Sequence, residues 1–514
     1  MANATRELPV YHPTPPARGD LTRAPLLGRF LRWKHARTAL QLPLLVLAGV
    51  IVADGLFGPQ LSPQNTAGVA PWIQWRGLVV LALLLAGNLF CMACPFMLPR
   101  RLAKKLFAAD RPWPSWLSGK WLALGTLVLF FWAYEALDLW ASPWWTAWLV
   151  VTYFVAAFVL DAFFRGAVFC KHVCPIGSFN FVNSLASPGE VRVRDVDVCA
   201  SCETKDCIAG RREVDPRTGE ERVVQSGCEL WLFQPRKAGN MDCTFCLDCV
   251  QACPYDNVGI LPRVPGAELK DDPWRSGIGR FSERLDVLVL VMAVVFLAFL
   301  NAAGMIRPMA DAKAAIGRAL GTGSEAVVWA AVMVVGLGVV PLVLLYATGA
   351  LSRLLAGGDV PRRTATRRMA WGLVPLGFGM WLAHYAFHFL GSGLNLVPVL
   401  HRAGGDAGLL GGTPDWSLGA MIPPDWMLPL EMVVLEVGLL ASLVLLHFIA
   451  RSVYASRKRA RRAFAPWAVL AVALGAAGAW IMTQPMEMRG MMPGMDMEGP
   501  GMEGGVDAEM GDVG

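Results

Sequence analysis

Long apolar stretches alternate with short basic segments along this chain. A helix needs roughly 20 mostly apolar residues to cross about 30 Å of hydrocarbon. Nine stretches approach or reach that length, at positions 40–57, 76–96, 119–139, 146–167, 285–305, 326–350, 369–390, 427–448 and 465–482. The first is the least regular, because it is short and contains Gln41, Pro43 and Asp54. The pattern predicts a polytopic α-helical membrane protein with about nine spans.

The composition agrees with a membrane protein. The chain has 514 residues, of which 55% are hydrophobic and only 17% are charged, and it contains 20 tryptophans. A soluble protein with a large core would carry more charge. No signal peptide is expected, because residues 1–38 are long, polar and contain proline, and no small-residue cleavage pattern follows the first apolar stretch.

The Lys and Arg residues fall on alternate sides of the predicted spans. The amino-terminal arm and the segments 97–120, 351–368 and 449–464 carry 24 of them, whereas the alternate segments and the tail carry 5. Because basic loops stay in the cytoplasm, this bias predicts a multi-pass protein of the inner (cytoplasmic) membrane with its amino terminus inside and its carboxyl terminus outside. The net charge of +6 therefore reports topology, and nothing else in the sequence supports binding to nucleic acid.

One polar segment, residues 185–275, interrupts the pattern between the fourth and fifth predicted spans. It is rich in Asp, Glu and Arg, is long enough for a small folded domain, and holds eight of the 12 cysteines. The chain accordingly divides into an amino-terminal arm, a four-span domain, a cysteine-rich cytoplasmic domain, a five-span domain and a tail, at 1–38, 39–184, 185–275, 276–482 and 483–514.

The stretch "CTFCLDCVQACP", residues 243–254, has the spacing Cys-x2-Cys-x2-Cys-x3-Cys-Pro. This is the bacterial ferredoxin run, in which three thiolates hold one [4Fe–4S] cluster and the fourth reaches a neighbouring cluster. Paired Cys-x2-Cys units also build zinc sites, but the third cysteine and the Cys-Pro fit an iron–sulfur cluster better. Disulfides are disfavoured in a reducing cytoplasm.

The partner half of this motif is looser. Cys199, Cys202 and Cys207 are followed by Cys228 only after the insertion 208–227, whose Asp-Pro and Thr-Gly dipeptides predict a solvated hairpin. Crossed ligation, as in two-cluster ferredoxins, predicts two sets of ligands. The sets are Cys199, Cys202, Cys207 and Cys253 for one cluster, and Cys228, Cys243, Cys246 and Cys249 for the other. The insertion leaves open whether Cys228 stays within reach.

The other four cysteines lie at the inner ends of two predicted spans, one pair within the end of 76–96 and one pair just after 146–167. They are Cys91, Cys94, Cys170 and Cys174, and each pair is followed by a proline. Proline ends a helix, so both pairs are expected to turn toward a partner on the inner face. Four thiolates at one depth are enough ligands for a third iron–sulfur cluster. Buried apolar cysteines and a disulfide relay are the alternatives.

At these residues the chain resembles the membrane polyferredoxins of nitrate and nitrous oxide respiration, the NapH and NosR group. Their pattern pairs two Cys-x3-Cys-Pro motifs at the membrane edge with a cytoplasmic two-[4Fe–4S] ferredoxin-like domain. The stretch 170–175 has that spacing, whereas 91–95 is one residue shorter. The resemblance covers about 76–260 and implies a quinol dehydrogenase-like subunit that moves electrons from the quinol pool to a redox partner in anaerobic respiration. It leaves the five later spans unexplained.

Ionisable residues within the later spans are candidates for proton transfer at a quinone site. His384 and His388 lie four residues apart on one helix face, and Glu431 and Glu436 lie in the outer half of the next predicted span. Buried charges in a membrane are expensive and often functional, and a quinol site must accept protons as electrons leave. Hydrogen bonding between helices is the alternative, and haem ligation through His384, His388 or His401 is a third reading.

The tail carries a dense set of methionines. Thioethers prefer Cu(I), so this segment predicts a copper site outside the membrane, with an unliganded, solvated tail as the alternative. The proposed ligands are Met486, Met488, Met491, Met492, Met495 and Met497. His172, between two cysteines, is read as an interfacial residue, with ligation or hydrogen bonding to a cluster as the alternative. Two functions therefore remain open: quinone-linked electron transfer, or copper-linked assembly or sensing for an exported enzyme.

Overall fold

A computed structural model of the chain describes residues 19–107, 111–214, 217, 219–357 and 360–485. Within this part, eight helices are long and apolar enough to cross a membrane. The third predicted span, 119–139, forms a shorter apolar helix, Trp121–Ala136. The prediction of a multi-pass helical membrane protein is therefore confirmed, and every one of the nine apolar stretches is helical over most of its length.

The described part of the amino-terminal half contains eight main helices. They are α1 (Leu27–Arg32), α2 (Ala36–Phe57), α3 (Thr66–Ala86), α4 (Leu89–Ala93), α5 (Met97–Leu106), α6 (Trp121–Ala136), α7 (Pro143–Phe163) and α8 (Pro175–Asn183). A π-helical turn, Phe169–Val173, lies between α7 and α8. The four cysteines of this half all lie outside the long helices.

Two predicted span boundaries were wrong. Helix α3 begins at Thr66 and ends at Ala86, although apolar residues continue to position 96, because Gly87 adopts a left-handed conformation with φ 69°. Helix α7 ends at Phe163, and the backbone turns at Gly166 with φ 90°. Glycine adopts such angles without steric cost, and both helices end before the cysteines are reached.

The cysteine-rich segment has little regular structure. Its elements are β1 (Gly189–Val193), α9 (Val196–Ala200), α10 (Asp206–Ala209), β2 (Arg211–Val214), β3 (Glu221–Gln225), α11 (Asp248–Ala252), β4 (Val258–Pro262) and α12 (Ala267–Asp271). Strand β1 pairs antiparallel with β4, which joins the two ends of the segment. Strands β2 and β3 form an exposed antiparallel hairpin, as the insertion predicted.

The carboxyl-terminal half is helical. Its helices are α13 (Leu285–Ala303), α14 (Arg307–Leu320), α15 (Glu325–Ala356), α16 (Arg362–Ala370), α17 (Val374–Ser392), α18 (Leu396–Asp406), α19 (Met427–Val453) and α20 (Arg457–Met482). Helices α17 and α19 approach closely at Gly379 and Gly438, where a Cβ on Gly379 would lie 3.1 Å from the Gly438 Cα. Small residues allow such close packing between helices in membranes. Helix α13 is the most buried of the membrane helices and lies at the centre of this core.

Candidate functional site

Four cysteines surround one small cavity beside the carboxyl-terminal ends of α3 and α7. We call them the proximal group. The cavity has a volume of about 50 Å³ and is lined by Cys91, Cys94, Cys170 and Cys174. Cys91 lies on α4, Cys94 follows it, Cys170 lies on the π-helical turn and Cys174 caps α8. Segments far apart in the sequence therefore present four sulfur atoms to one space.

Hydrogen-bond donors face the sulfur atoms of the proximal group. The Asn180 side chain donates to Cys91 Sγ at 3.1 Å, and the Gly177 backbone N–H donates to Cys174 Sγ at 3.2 Å. Burial raises the pKa of the Cys91 thiol to about 11 and that of Cys174 to about 12. Because these thiols hold their protons at neutral pH, they become thiolates when a bound metal displaces the proton. Donors aimed at sulfur suit ligands that carry negative charge.

A second set of cysteines, the middle group, lies in the cysteine-rich segment. It consists of Cys228, Cys243, Cys246 and Cys249. Burial, and then the neighbouring Cys228 and Cys243, raise the pKa of the Cys249 thiol well above its usual range. Burial, then Asp248 and Glu229, and to the smallest extent Cys228 raise the pKa of the Cys246 thiol well above its usual range. The hairpin insertion therefore does not remove Cys228, because the Cys228 N–H donates to the Cys207 carbonyl at 2.9 Å and closes the base of the hairpin.

A third set, the distal group, is more exposed. It consists of Cys199, Cys202, Cys207 and Cys253, all only partly buried. Burial, and then the nearby Cys199, Cys253 and Cys202, raise the pKa of the Cys207 thiol to about 12. Asn257 donates from its side chain to Cys199 Sγ at 3.2 Å and from its backbone to Cys253 Sγ at 3.3 Å. In the structure, Cys207 therefore lies near the other three cysteines of the distal group, and Cys228 lies near Cys246 and Cys249.

The three groups are arranged in series. Cys243 of the middle group lines the same cavity as the proximal group. Its backbone carbonyl accepts a hydrogen bond from the Asn88 side chain at 2.6 Å, directly between α3 and α4. At the other end of the middle group, Cys249 is within electrostatic range of Cys207 of the distal group. The order is proximal, middle, distal, from the membrane helices outward.

A buried network of charges joins the middle group to the membrane helices. Arg37 on α2 pairs with Glu229 and Asp248, each at 3.2 Å. Arg100 on α5 pairs with Glu229 and, at 3.5 Å, with Asp161 on α7. The Arg37 and Arg100 side chains are 4% and 1% exposed. Carboxylates buried this deeply need such partners, so the two arginines fix the cysteine-rich segment against α2, α5 and α7.

One set of oxygen and sulfur donors within this network has the spacing of a metal site. Atoms of Glu229, Cys246 and Asp248 lie within 4.8 Å of one another. Arg37 already supplies positive charge to both carboxylates. The cluster is therefore a satisfied ion network, and Cys246 remains with the other cysteines of the middle group.

The structure brings together only part of the predicted proton-transfer set. The rings of His384 and His388 lie 4.9 Å apart on α17, and His384 is fully buried. Glu431 is buried on the adjacent helix α19, whereas Glu436 is exposed on the outer surface of the same helix. Glu436 therefore cannot share a buried site with the histidines. Within the described residues, neither nitrogen of His384 has a hydrogen-bond partner.

The remaining predicted residues lie elsewhere. His172 stacks on Trp113 with ring centroids 5.4 Å apart, and burial lowers its pKa to about 4. His401 is paired with the Gly411 carbonyl at 2.9 Å near the protein surface. The six methionines predicted to bind copper fall in 486–514, outside the residues that the structure describes.

An apolar cavity that the sequence did not predict lies beside the proximal group. Its volume is about 270 Å³, and its walls come from α2, α3, α6, α7, α8, α17 and α18. Polar side chains are few in its lining, and they include Gln74, Arg76, Tyr153 and Tyr385. Gln74 and Arg76 interrupt an apolar stretch in the sequence, which is the signal that could have identified this site.

Comparisons with known proteins identify no relative: no family model, curated protein or solved structure matches this chain.

Proposed function

We propose that this protein is a membrane iron–sulfur electron-transfer protein. The proximal, middle and distal groups each hold one iron–sulfur cluster, and electrons pass along them between the quinone pool and a respiratory redox partner. In this proposal the middle and distal groups hold [4Fe–4S] clusters in a ferredoxin-like domain on the cytoplasmic side. The activity is that of a quinol dehydrogenase-like subunit of the inner membrane.

The observation that carries this proposal is the serial order of the three cysteine groups. Twelve thiols divide into three sets of four, and each set converges on one region. A zinc site or a disulfide would account for one set of four, but neither would give a reason to place three sets in a row. A row of redox centres is the arrangement that electron transfer across a protein requires.

The surroundings of the groups suit different steps. The proximal group lies between the ends of α3 and α7 and the cysteine-rich segment, next to the apolar cavity, so a cluster there exchanges electrons with a lipid-soluble carrier. The distal group is partly exposed, so a cluster there can exchange electrons with a docked protein. N–H donors to Cys91, Cys174, Cys199 and Cys253 would stabilise the reduced, more negative state of a cluster and raise its potential.

Reduction of the purified full-length chain tests the proposal. Anaerobic protein in lipid nanodiscs is mixed with a short-chain ubiquinol and, separately, with a reduced menaquinone analogue, and cluster bleaching is followed by absorbance and paramagnetic resonance. Quinol-dependent reduction, or oxidation of dithionite-reduced clusters by the quinone, is expected. Clusters that respond to dithionite but to neither quinone couple would contradict the quinone link.

The density of methionines in 486–497 favours one second candidate, copper-linked assembly or sensing for an exported enzyme. In that function the clusters supply reducing power and the tail binds Cu(I). Removal of residues 486–514 is then expected to abolish high-affinity Cu(I) binding. An unchanged copper stoichiometry in the truncated protein would contradict it.

A further inference from the structure

We infer that the 270 Å³ cavity between α2, α3, α7 and α8 is the binding site for the quinone headgroup. This inference rests on the proposed function, and the histidine pair that the sequence suggested does not line the cavity. It assigns contact with the headgroup to Tyr153, Gln74 and Arg76.

The cavity lies directly beside the proximal group. Its lining includes Pro95 and Phe96, which directly follow Cys94, and Pro175 and Ile176, which directly follow Cys174. The cavity and the proximal group therefore share a wall. Phe96 and Ile176 line both cavities, so a molecule bound there lies next to the sulfur ligands of the first proposed cluster.

Tyr153 connects the two spaces. It packs in one cluster with Phe169 and Cys174, and its ring centroid lies 5.2 Å from that of Phe96. Its hydroxyl is within electrostatic range of both Cys174 and Cys94. A headgroup bound to this hydroxyl is therefore held beside the proximal cysteines.

The lining of the cavity also includes two buried polar atoms that could accept a hydrogen bond from a ligand or donate one to it. Tyr153 Oη and Gln74 Oε1 are buried, and within the described part of the chain neither has a hydrogen-bond partner. Each residue is 8% exposed. A buried polar group without a partner costs about 1–3 kcal/mol, so a ligand that supplies the missing partners binds favourably. The Gln74 amide nitrogen is already fixed, since it donates to the Gly393 carbonyl at 2.9 Å.

Arg76 supplies positive charge at the same cavity. Its guanidinium carbon lies 4.4 Å from the centroid of the Tyr134 ring and 5.1 Å from that of Tyr385. A cation in a low-dielectric site stabilises the anionic forms of a quinol during its oxidation. An apolar space with a few fixed polar groups is typical of a small-molecule site, and it matches a ring with two oxygens on an apolar body.

The proposed clusters can accept both electrons that the oxidation of one quinol releases. One quinol gives two electrons, which reduce two of the proposed clusters by one electron each, and two protons, which pass to water. The quinone that forms leaves the cavity. The reverse reaction consumes the same electrons and protons.

A cavity-filling substitution with a matched control tests the site. Val150→Phe places a ring in the cavity from α7, whereas Val155→Phe places the same ring on the exposed face of that helix, where Val155 is 54% exposed. Tyr153→Phe removes only the hydroxyl. Each full-length variant is prepared in nanodiscs. Binding is measured by equilibrium dialysis of a short-chain ubiquinone and by cross-linking of an azidoquinone, whose labelled residues are mapped by mass spectrometry.

We expect Val150→Phe and Tyr153→Phe to weaken ubiquinone binding by at least about tenfold. The Val155→Phe variant should bind ubiquinone as tightly as the original protein does. Cross-linked azidoquinone should be found on residues within 66–86 or 143–163. Dithionite-reduced spectra should be unchanged in all three variants, which shows that any cysteine-bound clusters are intact.

Three results would overturn the inference. Ubiquinone binding that survives Val150→Phe and fails in His388→Leu would assign the headgroup to the histidine pair. Equal binding by the Val150 and Val155 variants would place the site outside the cavity, and so would phospholipid bound there in place of quinone. If quinone binds in the cavity but never changes the redox state of any cluster, the site stands and the proposed function fails.

Discussion

Arg37 Nη1 lies 3.2 Å from Asp248 Oδ2, although the two residues are 211 positions apart in the chain. This pair connects the first membrane helix to the segment 243–249, which carries three cysteines of the middle group. Glu229 shares the same guanidinium. The cysteine-rich segment is thus attached to the membrane helices through buried charge as well as through apolar contact.

Removal of Arg37 should destabilise the protein strongly. Arg37→Gln leaves Glu229 and Asp248 buried with less positive charge, and such a loss costs about 3–5 kcal/mol. The measurement is the midpoint of thermal unfolding in detergent, followed by tryptophan fluorescence. Arg32→Gln is the matched control, because Arg32 is exposed and pairs with Asp256 at 3.8 Å, so its loss should cost less than about 1 kcal/mol. An equal fall in the unfolding midpoint for the two substitutions would contradict the stabilising role of the buried charge network.

Gly87 is expected to resist substitution. In Gly87→Ala the new Cβ would lie 2.6 Å from Phe245 Cζ and 2.8 Å from Ser187 Oγ, at a backbone φ of 69°. The combined strain should cost about 1–3 kcal/mol and disturb the loop between Cys243 and Cys246. Gly125→Ala is the control, because its Cβ would meet nothing within 4 Å on α6. Unfolding midpoints should fall for the first and stay the same or rise for the second; an unchanged midpoint for Gly87→Ala would count against the close approach.

Single cysteine substitutions should remove one cluster at a time. Cys174→Ser is expected to lose the proximal cluster, about four irons per chain, and to keep the paramagnetic signals of the other two. Cys253→Ser should lose the distal cluster and retain the proximal one. The iron content per chain and the paramagnetic resonance spectra of the anaerobic proteins show which clusters each variant retains. Loss of every signal in Cys174→Ser, in a protein that still folds by fluorescence, would show that the groups are not separate sites.

The hairpin formed by β2 and β3 should be dispensable for cluster binding. Its strands are largely exposed, and the hydrogen bond between Cys228 and Cys207 closes its base. Replacement of 211–225 by a short Gly-Ser linker should change stability by no more than about 0.5 kcal/mol and leave the iron content unaltered. A loss of the middle cluster in this variant would mean that the hairpin itself positions Cys228.

The sequence predicted the parts of this structure that depend on local patterns. Apolar length gave the membrane helices, and cysteine spacing gave the middle and distal groups that the structure brings together. The end of α3 was not predicted, because Leu89 and Phe90 continue the apolar stretch and only the backbone of Gly87 ends the helix. The long-range features were also missed: Arg37 finds Glu229 192 positions away, and Tyr153 meets Cys174 only after the chain turns back into α8.

Iron and acid-labile sulfide per chain, measured on anaerobically purified full-length protein, test the central claim most directly. Three [4Fe–4S] clusters predict about twelve irons and about twelve sulfides per chain, with no free thiols. About eight irons would leave the proximal group without a cluster, and about ten would indicate a [2Fe–2S] centre there. A colourless protein with twelve titratable thiols, no iron and no paramagnetic signal on reduction would contradict the account.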